Sequence, residues 1–280
     1  MGSLNLENYQ IVRLKNGTCS IRSLAENETF HPVVGPAAEA EALYVRQLRL
    51  RRRLQSHHGE FVVWDVGLGA AANAISVLRA ASDLPCSLRI ISFDRTIEPL
   101  EFALRHAAEL GYLSGYESAA RELLATGRAL GGRWELRPGD FPGLLRKGPP
   151  PAPAPHAILF DAFSPAKNPA MWTASLFSDL HRCLDSKRPC AMPTYSRSTM
   201  LRVTLLLAGF FVGAGRATGE KEETTIAANT LELLDEPLSR NWLGRARRSR
   251  SAEPLWEPVY RQAHLSRESW EKLARHPQFQ

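Results

Sequence analysis

Two glycines and four aspartates stand at or beside the ends of short apolar runs, and their spacing fits a site for an adenosine-bearing cofactor. Gly67-Leu68-Gly69-Ala70-Ala71-Ala72 follows an apolar run and precedes a helical one, the setting of the loose pattern G-x-G-x-x-G/A. Glycines let the backbone turn sharply and come close to a ligand whose negative group meets the helix N-terminus. NAD, FAD and S-adenosyl-L-methionine (SAM) proteins share this pattern, and a tight structural turn would read alike. Asp94 lies 27 residues after Gly67, at the end of the next apolar run. A carboxylate there accepts both ribose hydroxyls of such a cofactor, or caps a helix.

Three features lean from hydride transfer toward methyl transfer. Asp65 precedes the glycine pair inside an apolar run, where a carboxylate can meet the ammonium of a methionine-like moiety. Gly139-Asp140 ends a third run, where a carboxylate or backbone amide can hold an adenine amino group; Asp140 also reads as a turn residue. Residues 209–229 read as a β-hairpin, which would add an antiparallel last strand. The most informative segment is Asp161-Ala162-Phe163-Ser164-Pro165-Ala166-Lys167-Asn168-Pro169-Ala170-Met171-Trp172. A carboxylate at a strand end, followed by an aromatic and a proline-stiffened loop, suits holding a planar base or an amine at a methyl donor. A proline-ordered connection capped by Asp161 is the plainer alternative.

The elements that must position these residues follow from the pattern. FVVWDV (61–66), LRIISFD (88–94), WELRPGD (134–140), HAILFDAF (156–163) and PCAMPTY (189–195) read as strands. Helices are predicted near 37–55, 70–80, 98–111, 116–131, 170–184 and 197–208. This alternation implies a parallel sheet with helices on both faces, whose ligands bind outside the carboxyl ends of the strands. All the candidate motifs fall at such ends. Residues 9–24 alternate about Asn16-Gly17, a hairpin signal in which both turn residues need positive φ. Gly148 to Pro155 holds five prolines and reads as a loop.

The chain has 280 residues, 44% hydrophobic and 23% charged, which excludes fibrous and mainly disordered classes. No apolar stretch reaches the roughly 18 residues needed to span a bilayer, and no signal peptide is visible, so a cytoplasmic chain is expected. Cys19, Cys86, Cys183 and Cys190 are scattered, and the eight histidines show no ligand spacing, so no metal is proposed. Net charge is +6, with arginines clumped at 46, 49, 51, 52 and 53 and at 240, 245, 247, 248 and 250. Such clusters are either a phosphate-binding face or ordinary solvated helix surface.

FDAFSPAKNPAMW, read with DVGLGAAAN, ISFDR and RPGDF in that order, resembles the methyltransferase domain of the MnmC family. TFHPVVGPAAEAEALYV (29–45) sits where that family has a segment leading into its first core strand. The likeness covers about residues 9–229 and is strongest over Asp161–Trp172. It implies a Rossmann-like class I SAM-dependent methyltransferase, α/β, mostly parallel with an antiparallel last strand and an N-terminal β-hairpin extension. The expected divisions are an extension over 1–56, the catalytic core over 57–235 and a basic tail over 236–280. By the resemblance Asp65, Gly67, Gly69 and Asn73 would surround the methionine part of SAM, Asp94 with Arg95 the ribose, and Asp140 the adenine. Asp161 would border the cofactor and face the reacting amine, with Phe163, Pro165 and Lys167 on the substrate side.

The reaction so implied is methylation, by SAM, of the 5-aminomethyl group of the tRNA wobble uridine, thiolated or not. The fused members of the family carry a flavin-dependent oxidase as well, and the chain here matches only the methyltransferase. Ala162 and Ala70 stand where fused members often have glycine and threonine-like residues, and Asp65 and Asp94 replace glutamates. The arginine clusters would grip tRNA phosphates. The alternatives are a SAM-dependent methyltransferase for another acceptor, an NAD-dependent oxidoreductase and a non-enzymatic RNA-binding protein.

Overall fold

A computed structural model describes residues 8–146, 152–218 and 222–280. Much of the proline-rich loop at 148–155 and the middle of the 209–229 connection therefore lie outside the described residues. The N-terminal segment forms an antiparallel sheet ordered β1-β2-β3 from β1 (Tyr9–Arg13), β2 (Cys19–Ser23) and β3 (Glu28–Thr29). The turn differs from the expected two-residue form. Arg13 pairs with Cys19, leaving five residues between, and of Asn16 and Gly17 only Gly17 has positive φ. The Asn16 side chain instead accepts from the Thr18 N–H at 3.1 Å, a local bond that closes the turn without a left-handed asparagine. β3 is an addition that the alternation had not disclosed.

The main sheet has eight strands in the order β10-β11-β9-β8-β4-β5-β7-β6. They are β4 (Glu60–Val66), β5 (Ser87–Asp94), β6 (Arg128–Ala129), β7 (Trp134–Pro138), β8 (Ala157–Phe160), β9 (Ala191–Thr194), β10 (Phe211–Gly215) and β11 (Thr224–Ala228). β7, β5, β4, β8 and β9 run parallel, while β11 is antiparallel to β9 and β10, as the hairpin reading anticipated. β6 is a two-residue antiparallel edge on β7. It replaces the end of the helix expected over 116–131, which stops at Gly127 in the left-handed region (φ 75).

Side-chain alternation along β4 shows why both faces must be covered. Phe61 and Val63 enter one buried cluster, and Val62, Trp64 and Val66 the other. The first cluster is closed by helices Ala72–Ala81, Glu98–Arg105 and Glu117–Thr126 and by the segment before β4. That segment, expected as one helix over 37–55, is broken by Arg49 at φ 48 into Pro36–Ala40, a π-helical stretch Glu41–Arg46 and Leu50–Ser56. Tyr44 is fully buried there, its hydroxyl donating to the Phe160 carbonyl at 3.2 Å.

The second cluster takes helices Ala174–Arg182 and Thr199–Leu207 and much of the C-terminal region. Trp242, Leu243 and Ala246 of helix Arg240–Arg248 are buried, as are Leu255, Leu273 and Phe279. The basic tail expected over 236–280 thus packs onto the sheet. They also lie along β10: Ala214 N–H donates to the Glu236 carbonyl at 2.9 Å and Leu238 N–H to the Val212 carbonyl at 2.9 Å. The Gln278 side chain accepts from Val212 N–H at 2.7 Å and donates to the Val212 carbonyl at 2.7 Å.

Candidate active site

Strand order reverses at β4, which has β5 on one side and β8 on the other. A cavity of about 530 Å³ opens there, beyond the carboxyl ends of the strands. Its floor is the turn after β4. Gly67 holds φ 92 and Gly69 φ 50, and the Gly67 N–H donates to the Phe93 carbonyl at 3.0 Å. A Cβ at Gly67 would stand 2.8 Å from the Asp161 carbonyl oxygen, so the two strand ends can approach only because this residue is glycine. Ala71, at φ 64, starts helix Ala72–Ala81, whose N-terminus points at the cavity.

The structure brings Gly67, Gly69, Asn73, Asp94, Arg95, Asp140, Asp161 and Phe163 to the wall of this one cavity. Asp94 accepts from the Gly69 N–H at 2.9 Å and the Thr96 N–H at 3.2 Å, and burial pushes its carboxyl up against these bonds. Asp140 accepts from the Gly143 N–H at 3.0 Å, so it caps the next helix as well as lining the cavity. The Asp161 carboxylate accepts from Asn73 Nδ2 at 2.8 Å.

Three predicted residues sit elsewhere. Asp65 has no exposed surface and is not part of the wall; it accepts from the Ser92 hydroxyl at 2.7 Å, and Ser92 in turn accepts from Trp134 Nε1 at 3.0 Å. Burial pushes the Asp65 carboxyl up to about 8. Pro165 and Lys167 lie outside the lining, with Lys167 in solvent.

The N-terminal segment supplies a wall that sequence reading missed. Glu28, which opens β3, reaches across 136 positions to accept from both the Ser164 N–H, at 3.1 Å, and the Ser164 hydroxyl. Phe30 packs edge-on against Phe163, ring centroids 5.4 Å apart. His31, at φ 47, places Nε2 3.6 Å from Asp161 Oδ2 and Nδ1 3.9 Å from Glu39 Oε2. From the other side, the Tyr195 hydroxyl donates to the Ala162 carbonyl at 3.0 Å. No short motif marks these residues, because the docking of a distant segment brings them here. The one available signal was the cluster of Phe30, His31 and Glu39 within a segment rich in breakers.

The cavity fits a SAM-sized ligand on two structural grounds. Gly67 and Gly69 let the turn after β4 form an open floor, and Asn73 Oδ1, on the cavity wall, is buried with no hydrogen-bond partner. Among the described residues no group of three or more His, Cys, Asp or Glu could hold a metal ion, and no helix is long and apolar enough to cross a membrane.

The two arginine clusters are placed differently. Arg53 donates to the carbonyls of His156 (2.7 Å) and Pro189 (3.2 Å), which precede β8 and β9, at the end of the sheet away from the cavity. Arg51 grips Asp83 through two bonds of 2.7 and 2.8 Å, past the far end of helix Ala72–Ala81. Arg46 pairs with Glu41 and Arg49 with Asp235. In the second cluster Arg245 lies 3.7 Å from Glu223, beside the start of the antiparallel β11 and hence on the cavity side. Arg22 joins Arg95 in the cavity wall.

Comparison with known proteins agrees with this geometry. A family model described as S-adenosyl-L-methionine-dependent methyltransferase matches residues 146–230. The tRNA 5-methylaminomethyl-2-thiouridine biosynthesis bifunctional protein MnmC of Aeromonas hydrophila is 31% identical over 229 residues, 74% of this chain and 33% of that protein. Its counterpart in Ralstonia nicotianae is 27% identical over 246 residues, 82% of this chain and 34% of that protein. The chain thus spans about a third of the length of these relatives. Among solved structures, MnmC2 from Aquifex aeolicus superposes with a TM-score of 0.70 at 23% identity, covering 98% of this chain and 84% of that one. A spermidine synthase in complex with a transition-state analogue shares the fold at a TM-score of 0.54 and 12% identity, covering 98% and 87%. By motif, site and fold the chain is an MnmC-like, S-adenosyl-L-methionine-dependent methyltransferase domain.

Proposed function

We propose that this domain methylates the amine of 5-aminomethyluridine, with or without 2-thiolation, at the tRNA wobble position, giving the 5-methylaminomethyl form. The observation that carries the reading is the Asp161 carboxylate, held by Asn73 at the mouth of a glycine-cradled cavity and flanked by a Phe30–Phe163 pair. The names of the relatives, which specify 5-methylaminomethyl-2-thiouridine biosynthesis in tRNA, support the choice of acceptor. A tRNA substrate goes with a cytoplasmic enzyme.

In this reading Gly67, Gly69 and Asn73 hold the methionine part of SAM, Asp94 and Arg95 the ribose, and Asp140 the adenine. Asp65 supports the floor from beneath through Ser92. SAM supplies the electrophilic methyl group. Asp161 orients the amine for in-line attack, and much of the rate comes from that positioning. Phe163 and Phe30 hold a uridine extruded from its loop, the usual way a single-stranded RNA base is captured. Pro165 stiffens the loop behind Phe163, and Lys167 stands on its solvent side. Phosphate contacts fall to Arg22, Arg95 and helix Arg240–Arg248, since Arg51 and Arg53 are engaged at the far end of the sheet. The N-terminal segment walls the site, the core over 57–235 supplies the SAM cradle and Asp161, and residues 236–280 brace the sheet edge.

The test is transfer of label from methyl-labelled SAM to tRNA bearing 5-aminomethyluridine, followed by nucleoside analysis. Label in 5-methylaminomethyluridine is the expected result. No label, with SAM binding intact, would reject this acceptor and retain the methyltransferase.

A further inference from the structure

We propose that His31 is the proton acceptor for the amine in this reaction, a role resting on the function proposed above. A primary amine reaches the site largely as an ammonium ion, which has no lone pair to attack with. Some group at the cavity must take a proton before the methyl can move. Asp161 is the nearest carboxylate, but a carboxylate is a weak base, and proton transfer is most effective from groups that titrate near the working pH. Imidazole is the side chain that changes charge between pH 5 and 8.

The geometry singles out His31 among the eight histidines of the chain. It lines the cavity, and its Nε2 lies 3.6 Å from the Asp161 oxygen that Asn73 holds. The position next to Asp161 is therefore within reach of His31 as well. Its other nitrogen lies 3.9 Å from Glu39 Oε2, so the imidazolium formed on proton uptake has a carboxylate on each side. The ring is 9% exposed, which leaves a route for the proton to water. Its backbone is in the left-handed region at φ 47, uncommon for a residue other than glycine.

The other charged or titratable groups on the same wall are Tyr9 from β1, Arg22 from β2, Glu28 from β3, Asp94 and Arg95 at the end of β5, Asp140 after β7 and Tyr195 after β9, with Tyr44 near Asp161. Burial, with Asp161, Glu28 and Glu39 nearby, keeps the Tyr195 phenol well above its usual range, so it stays protonated.

An N–H bond of the ammonium breaks and its proton bonds to neutral His31. The freed lone pair forms the N–CH3 bond as the CH3–S bond breaks, with that electron pair remaining on sulfur. The product leaves as a secondary ammonium, and His31 returns its proton to water.

The test uses the full chain with labelled SAM and amine-bearing tRNA. His31→Asn is the first variant, because asparagine tolerates the left-handed backbone; His31→Gly is the second. Wild-type kcat/KM is expected to fall along an acidic limb as the proton acceptor becomes occupied. In H31N the rate falls ~100-fold or more and that limb vanishes, while SAM affinity stays within about twofold. Added imidazole restores part of the rate in H31G. An unchanged acidic limb in H31N, with no rescue of H31G, overturns the proposal, because a structural role lowers the rate at every pH alike. If wild type transfers no label to this tRNA, the acceptor reading itself fails, a distinct outcome.

Discussion

Replacing Gly67 by alanine separates backbone strain from pressure on the catalytic carboxylate. Gly67 has φ 92, and holding an L-residue in such a conformation costs ~1–3 kcal/mol. Gly17 has nearly the same φ, 84, with nothing within 4 Å of an added Cβ. Gly17→Ala therefore carries the strain alone. At Gly67 the new Cβ also meets the Asp161 carbonyl at 2.8 Å, and opening that gap to an ordinary 3.4 Å moves it by 0.6 Å. A 1 Å misplacement costs on the order of 100-fold, so a shift of this size corresponds to about tenfold in kcat. Both variants should lose ~1–3 kcal/mol in urea unfolding, but only G67A should lose methyl transfer. The assay pairs unfolding midpoints with single-turnover rates at saturating SAM. A G67A enzyme as destabilised as G17A yet within twofold of the wild-type rate would refute the idea that this glycine sets the Asp161 position.

Other perturbations test other parts of the site. In ligand-free protein the Asp65 carboxyl sits near pH 8 because of burial, while an unfolded aspartate titrates near ~4. The native state alone then holds that proton between those values, so stability falls by up to ~1.4 kcal/mol per pH unit as pH rises through that window. Asp65→Asn removes this contribution, and its stability relative to wild type should rise from pH 4 to 8 and then level off; identical slopes in urea titrations would contradict the assignment. Tyr112→Phe deletes a 2.8 Å bond to the buried Ala70 carbonyl, and should cost ~1–3 kcal/mol in thermal unfolding and weaken SAM binding through the glycine turn. Arg51→Ala should leave tRNA affinity within twofold. Arg95→Ala should weaken it and reduce the slope of log K against log salt by about 1. Equal effects of the two arginine changes would place tRNA on the wrong end of the sheet.

What could be read from the sequence was what is local. The glycine turn after β4, Asp94 closing β5 and Asp161 closing β8 lie on contiguous strand-turn-helix units, so the run of residue types fixes their place. Apolar runs in β4 and β8 likewise announced strands buried on both faces. Long-range docking was not legible. Glu28, Phe30 and His31 reach Asp161 and Phe163 only because a short third strand, over residues with no strong β pattern, folds the N-terminal segment across the cavity. Asp65 looked like a ligand group because its residue type suits one, but β4 side chains alternate, and its own points to Ser92 in the interior. The arginine clusters show the same limit: charge can be counted in a sequence, but whether Asp83 or the His156 carbonyl already engages it cannot.

The hold of Gln278 on β10 bears on how the molecules behave toward one another. An eight-stranded sheet with a bare edge offers its unpaired amides and carbonyls as a template for strands of other molecules. One edge here is only two residues long, which offers little to copy. At the other, the backbone of residues 236–238 pairs with β10, and the carboxamide of Gln278 adds a second hold by answering both the N–H and the C=O of Val212. Residues near the carboxyl end thus guard against self-association as well as filling the second core. Removing them together with residues 236–238 would open a ladder for intermolecular pairing, and aggregation rather than loss of catalysis would be the first visible consequence.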